Sequence, residues 1–98
     1  MDNFKEAIND SRPVLVDFYA TWCGPCKMMH PVLEQLKSEM GDKVKILKVE
    51  VDKNLDLAKS FGIQSVPTLM IFKKGNNLWR QSGAMSAKDL KAKIEIFL

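Results

Sequence analysis

The stretch Val14-Leu15-Val16-Asp17-Phe18-Tyr19-Ala20-Thr21-Trp22-Cys23-Gly24-Pro25-Cys26 decides how this chain folds. Its start, Val14 to Ala20, is a nearly continuous apolar run of β-branched and aromatic residues, the pattern of a strand buried on both faces. Thr21 to Pro25 breaks the run as a loop, and Pro25 suits the first turn of a helix. From Pro25 to Met40, the residues Met29, Leu33, Leu36 and Met40 recur at helical spacing and form a core stripe. Gly41 suits the exit, and Pro31 inside the helix predicts a kink. A buried strand that hands over directly to an amphipathic helix opens an α/β unit.

Upstream, Phe4, Ala7 and Ile8 share one helical face, and that short helix stops by Ser11-Arg12-Pro13. Downstream, Val44 to Val51 reads as a second strand and Asn54 to Phe61 as a short helix with Gly62 after it. Pro67 to Lys73 is a third apolar strand. Lys74-Gly75-Asn76-Asn77 is a turn, so Leu78 to Ser82 completes a hairpin. Ser86-Ala87-Lys88-Asp89 is a capping-box pattern that opens a last helix, expected to bury Leu90, Ile94, Phe97 and Leu98. The order αβαβαββα predicts an α/β fold of three α/β/α layers with a central mixed sheet of about four strands. Pairing is expected to be parallel where helices intervene and antiparallel in the final hairpin. Residues 1–98 read as a single domain without repeats or linkers.

Composition narrows the function. With 46% hydrophobic residues among 98, the chain suits a compact fold and is too apolar for disorder. The net charge of +3 is scattered, with no basic stripe of the kind nucleic acid requires. No apolar run approaches the ~20 residues of a membrane-spanning helix. The segment Met1-Asp2-Asn3-Phe4-Lys5-Glu6 lacks a signal-type apolar stretch, so a reducing cytoplasmic setting is expected. The two cysteines are separated by only two residues, too local for a structural disulfide framework.

That pair carries the chemistry. Cys23 should sit just before the helix and Cys26 within its first turn, where unpaired N–H groups and the helix dipole favour a thiolate. Cys23, at the loop, is the candidate nucleophile. Cys26, near the core stripe, is the shielded resolving thiol. Two other readings compete: a pair of inert core cysteines, or part of a zinc site with His30 as the remaining soft ligand. Asp17 is a lone acid in an apolar strand, so it must become protonated, find a partner, or reach solvent at the strand end. His30 follows Cys26 by four residues. It reads as a satisfied packing histidine, with tuning of proton transfer at Cys26 or Asp17 as the alternative. Trp79 reads as strand packing and the methionines of the second helix as core filler.

At Trp22-Cys23-Gly24-Pro25-Cys26-Lys27 the sequence closely resembles the thioredoxin family. Val16-Asp17-Phe18-Tyr19-Ala20 before it, Lys48 on the next strand, Val66-Pro67-Thr68 and Gly83-Ala84 follow in the family's order, and the resemblance spans roughly residues 3 to 98. It implies a protein-disulfide reductase working by dithiol–disulfide exchange through Cys23 and Cys26. Asp17 would lie beneath Cys26 as its proton acceptor, through a water, with Lys48 as electrostatic partner. Val66 and a cis Pro67 would face the cysteines and expose backbone for an extended substrate. Trp22 would form the groove's rim, and Gly83 and Ala84 a flat wall. Gly24 and Pro25 would tune the turn and its redox poise. No metal or organic cofactor is implied. The partners implied are disulfide-containing proteins and a flavin- and NADPH-dependent thioredoxin reductase, with the protein itself a monomer that binds neither nucleic acid nor membrane.

Two departures from the family pattern stand out. Family members usually begin with an additional strand, which this sequence starts too late to contain, so Val44–Val51 should lie at the sheet edge. Its Lys45, Lys48 and Glu50 would discourage edge pairing, although dimerisation there stays open. His30 stands where the family commonly has a small residue. Three alternatives to a reductase remain: an oxidase or isomerase domain, whose motif usually has a histidine in place of Pro25; a non-catalytic binding subunit; and metal binding through Cys23, Cys26 and His30.

Overall fold

The computed structural model describes residues 2–98. In chain order the elements are α1 (Asp2–Ile8), β1 (Val14–Tyr19), α2 (Gly24–Met40), β2 (Lys45–Glu50), α3 (Leu55–Ser60), β3 (Thr68–Lys73), β4 (Asn76–Ser82) and α4 (Ala87–Glu95). Single 3₁₀ turns, Gly41–Lys43 and Val51–Lys53, flank β2. The four strands form one sheet in the order β2-β1-β3-β4, with β2 at an edge.

β1 is central because both its faces are apolar. Val14, Val16 and Phe18 pack with Phe4 and Ile8 of α1 and Leu57 of α3 on one side. Leu15 packs with Met29, Leu33 and Leu36 of α2 and Leu90 and Ile94 of α4 on the other. Alternation along the strand therefore sends Leu15, Asp17 and Tyr19 toward α2. The phenylalanine cluster adds edge-to-face contacts, Phe4 meeting Phe61 at 5.5 Å and Phe72 at 5.7 Å between ring centroids.

Pairing departs from the expectation at one strand. β1 and β2 are parallel, joined by the 17-residue α2. β3, although a helix precedes it, runs antiparallel to β1. The six residues of α3 cover only about 9 Å, whereas a six-residue strand needs about 20 Å. Glu50 at the end of β2 pairs with Tyr19 and Thr68 at the start of β3 pairs with Phe18, so the chain enters β3 at the end of the sheet where β2 left it. The β3–β4 hairpin is antiparallel as expected. Its turn is tighter than the sequence suggests, with Lys74 and Gly75 at φ 53° and 83° and Asn76 already in β4. Paired positive φ values match the twist of a two-residue hairpin loop.

The other adjustments are local. α2 begins at Gly24 rather than Pro25, and Pro31 lies inside it. Met28 on α2 is exposed, so Met29 and Met40 alone act as core filler there. α4 ends at Glu95, and Leu98 is 53% exposed instead of buried, while Phe97 packs against the core. Lys73 Nζ, which donates to the Phe97 carbonyl at 2.8 Å, holds this C-terminal segment at the sheet's margin. Ser86 is the N-cap of α4, its hydroxyl accepting the Asp89 N–H at 3.1 Å. Ser86→Ala is expected to cost about 1 kcal/mol of unfolding free energy, read from a urea denaturation curve with unchanged slope.

Candidate functional site

The site forms where β1 ends and α2 begins. Cys23 is the N-cap of α2 and has extended backbone, φ −91° and ψ 117°. Its Sγ accepts the backbone N–H of Cys26 at 3.1 Å. A sulfur thus occupies the place a serine or aspartate oxygen takes in an ordinary cap, at the positive end of a 17-residue helix. Cys23 and Cys26 are joined as a disulfide, with Cα atoms 5.2 Å apart. Both are buried, Cys23 at 5% exposure and Cys26 at 1%. The difference has the expected sign, but the outer cysteine is more sheltered than its loop position suggests. Ala20, with Tyr19, Val51 and Val66 beside it, packs around the pair.

Val66 reaches the cysteines from the loop before β3. The Val66–Pro67 bond is cis, and Cys23 Sγ lies 3.6 Å from the Val66 carbonyl oxygen. The loop is tied on both sides. Buried Thr68 donates its hydroxyl to the Ser65 carbonyl at 2.7 Å, and the Gly83 N–H donates to the Pro67 carbonyl at 2.8 Å. Gly83 takes φ 99°, a conformation a side chain would strain, and a Cβ there would meet open space. Gly83 and the exposed Ala84 therefore leave a bare backbone wall beside the Val66 loop.

Trp22 stands at the other side, 70% exposed. With Val51, Ile63, Gln64, Ser65 and Val66 it lines a shallow open groove of about 270 Å³. Its indole N–H donates to Asp52 Oδ2 at 2.9 Å, which fixes the ring while leaving its face open. Asp52 escaped the reading of the sequence. It is 30 residues from Trp22, and nothing in its neighbourhood marks it among the other surface acids.

Asp17 is completely buried, and neither carboxylate oxygen has a hydrogen-bond partner among the described residues. Burial pushes its pKa from 3.8 up to about 6, with Lys48 pulling the other way. Lys48 is directly across the parallel register from Asp17. No ion pair closes between them; the Lys48 ammonium instead lies 3.0 Å from His30 Nδ1. Its contribution to Asp17 is thus long-range attraction rather than contact. Half-buried His30 also meets the Tyr19 ring edge-on, with centroids 6.0 Å apart. Gly24 follows Cys23 directly, and Pro25 occupies the first turn of α2. Among the described residues no three His, Cys, Asp or Glu side chains gather as metal ligands.

Comparison with known proteins agrees with this geometry. The thioredoxin family model matches residues 1–96. A thioredoxin of Alicyclobacillus acidocaldarius is 46% identical over 92 residues, which is 94% of this chain and 88% of the relative. A thioredoxin of Synechocystis is 44% identical over 97 residues, covering 98% and 91% of the two chains. The solved structure of a thioredoxin variant from Halobacterium salinarum superposes with a TM-score of 0.91 at 36% identity, over 99% of this chain and 84% of that one. With its cysteine pair at the cap of α2 in the family's active-site position, this chain belongs to the thioredoxin family of thiol–disulfide oxidoreductases.

Proposed function

We propose that this protein acts as a single-domain, monomeric thioredoxin that reduces disulfides in partner proteins in a reducing cytoplasmic setting. The observation that carries the proposal is the Cys26 N–H aimed at Cys23 Sγ at the head of α2. In the dithiol state the same N–H and the helix dipole stabilise a Cys23 thiolate, the species that attacks disulfides.

An extended disulfide-bearing segment docks between Trp22 and the Gly83–Ala84 wall and pairs with the Val66 backbone, in the manner of an added strand. The Cys23 thiolate attacks one substrate sulfur; a Cys23–substrate disulfide forms, and the second substrate sulfur leaves as a thiolate that takes up a proton. The Cys26 thiol then gives its proton, through a water, to Asp17. Cys26 attacks Cys23, the intramolecular disulfide forms, and the first substrate sulfur departs as a thiolate and is protonated. Two electrons pass from this protein to the partner. Lys48 biases the Asp17 carboxylate electrostatically, and Gly24 and Pro25 shape the turn that sets the redox poise. A flavin- and NADPH-dependent thioredoxin reductase returns the electrons. No metal or organic cofactor takes part in these steps.

A raised carboxyl pKa supports the role of Asp17, because a base works best when its pKa lies near the working pH. The test is trapping. Cys26→Ser should accumulate mixed disulfides on Cys23, which mass spectrometry of the non-reduced adducts identifies. If Cys26→Ser captures no more protein than the Cys23→Ser, Cys26→Ser double variant, the reductase reading fails.

A further inference from the structure

The mechanism above does not use His30, whose Nδ1 lies 3.0 Å from the Lys48 ammonium. Asp17 is a buried carboxyl with no side-chain or backbone hydrogen-bond partner among the described residues, and Lys48 is opposite it on the neighbouring strand. An exposed lysine with a four-carbon stem can swing its ammonium toward such a carboxylate. Here the ammonium is held elsewhere, 3.0 Å from His30 Nδ1. An ammonium can only donate, so Nδ1 is the acceptor, and a neutral ring then carries its proton on Nε2. The ring is steadied by the Tyr19 edge contact, and Tyr19 is two residues beyond Asp17 on the same strand face. His30 is also one helical turn beyond Cys26, so it reaches the same side of α2 as the resolving sulfur.

Glu34 and Lys37 of α2 line an open groove with Lys48, and among the described residues neither is hydrogen-bonded to its ammonium. Tyr19 of β1, Glu50 of β2 and buried Cys26 of α2 lie on the α2 side of the sheet, while Glu34 and Lys37 of α2 are exposed. Leu69 of β3, across from Asp17, is apolar. Among the described residues, His30 is the group in hydrogen-bond contact with the Lys48 ammonium.

We propose that His30 is a positioning residue for the resolving step: it takes up the Lys48 ammonium and so withholds that cation from the Asp17 carboxylate. This rests on Asp17 being the proton acceptor for Cys26. A carboxylate clamped by a lysine is a weaker base, whereas one left in its apolar pocket keeps its affinity for the Cys26 proton. A small residue at position 30 would leave the ammonium free to close on Asp17.

The experiment titrates Asp17 directly in the oxidised protein, by the NMR shift of its carboxyl carbon against pH. His30→Ala should move the Asp17 midpoint about one pH unit lower, the small end of what an approaching cation does to a carboxyl. His30→Gln, which can still accept from Lys48, should restore the wild-type midpoint. In a Lys48→Ala background, His30→Ala should move nothing. An unmoved midpoint in His30→Ala, or a shift that survives without Lys48, overturns the proposal. So does a moved midpoint whose reductase rate profile stays in place. The titration needs no turnover, so wild-type protein with no reductase activity would instead overturn the mechanism of the preceding subsection.

Discussion

Cys23→Ser is expected to reduce protein disulfides more slowly than the wild type by on the order of 10³-fold or more, the scale on which enzymes lose activity when their nucleophile is removed. The reason is the identity of the atom at the cap. A thiol ionises near pH 8.5 in free solution, and a backbone N–H and a helix N-terminus at the cap are groups that favour a thiolate over a thiol. A serine hydroxyl in the same place stays protonated and makes an ordinary cap, so α2 keeps its start while the reaction loses its first step. The fold should survive for the same reason. The measurement is the initial rate at which dithiothreitol, with catalytic amounts of protein, reduces an accessible protein disulfide. Cys26→Ser should lose turnover in that assay yet still react once through Cys23, the difference expected of an attacking and a resolving sulfur. A Cys23→Ser variant close to wild-type rate would assign the attack to another group.

Asp17→Asn should make the protein more stable at neutral pH and less active. The folded carboxyl titrates at about 6 against 3.8 for the free group, because burial disfavours the anion. Well below pH 3.8 both folded and unfolded chains hold the proton, and ionisation of the site takes nothing from stability. Between the two values the folded chain binds more protons than the unfolded one, so stability falls as pH rises. Above about 6 the penalty is complete, about 3 kcal/mol for a difference of this size. Asparagine cannot ionise, so its stability relative to wild type should rise by that amount between pH 3 and pH 8. The fixed cost of burying an amide is the same at both ends and cancels. A domain of this length should then show a Tm advantage that grows by about 10 °C or more across the range. Thermal melts of both proteins at the two pH values measure it, and parallel curves would mean that Asp17 is not a buried anion at neutral pH. The same variant should resolve mixed disulfides about tenfold more slowly. That is less than a direct general base contributes, since the proton travels through a water.

These two substitutions act on opposite sides of a functional compromise. Cys23 sits where helix geometry favours its charge, and Asp17 sits where burial opposes it. The chain accepts an unpartnered carboxyl in its central strand, and removing it trades chemistry for stability.

Much of this was legible in the sequence because it is encoded locally. The apolar run of β1, the stripe Met29, Leu33, Leu36 and Met40 on α2, and the Ser86 cap of α4 each depend on neighbours a few residues apart. Spacing alone also put Cys23 before the helix and Cys26 in its first turn. The direction of β3 was not legible, since it depends on the path in space of the whole connection between Glu50 and Thr68. Nor was the exposure of Leu98, whose apolar character is the same whether or not a core lies within reach. Trp22 bonding Asp52, 30 residues away, and Lys48 turning to His30, 18 residues away, were equally hidden. Periodicity and caps report which face an element buries and where it ends. Which charge meets which partner is decided only when separate strands and helices bring side chains within about 3 Å, where hydrogen bonds form.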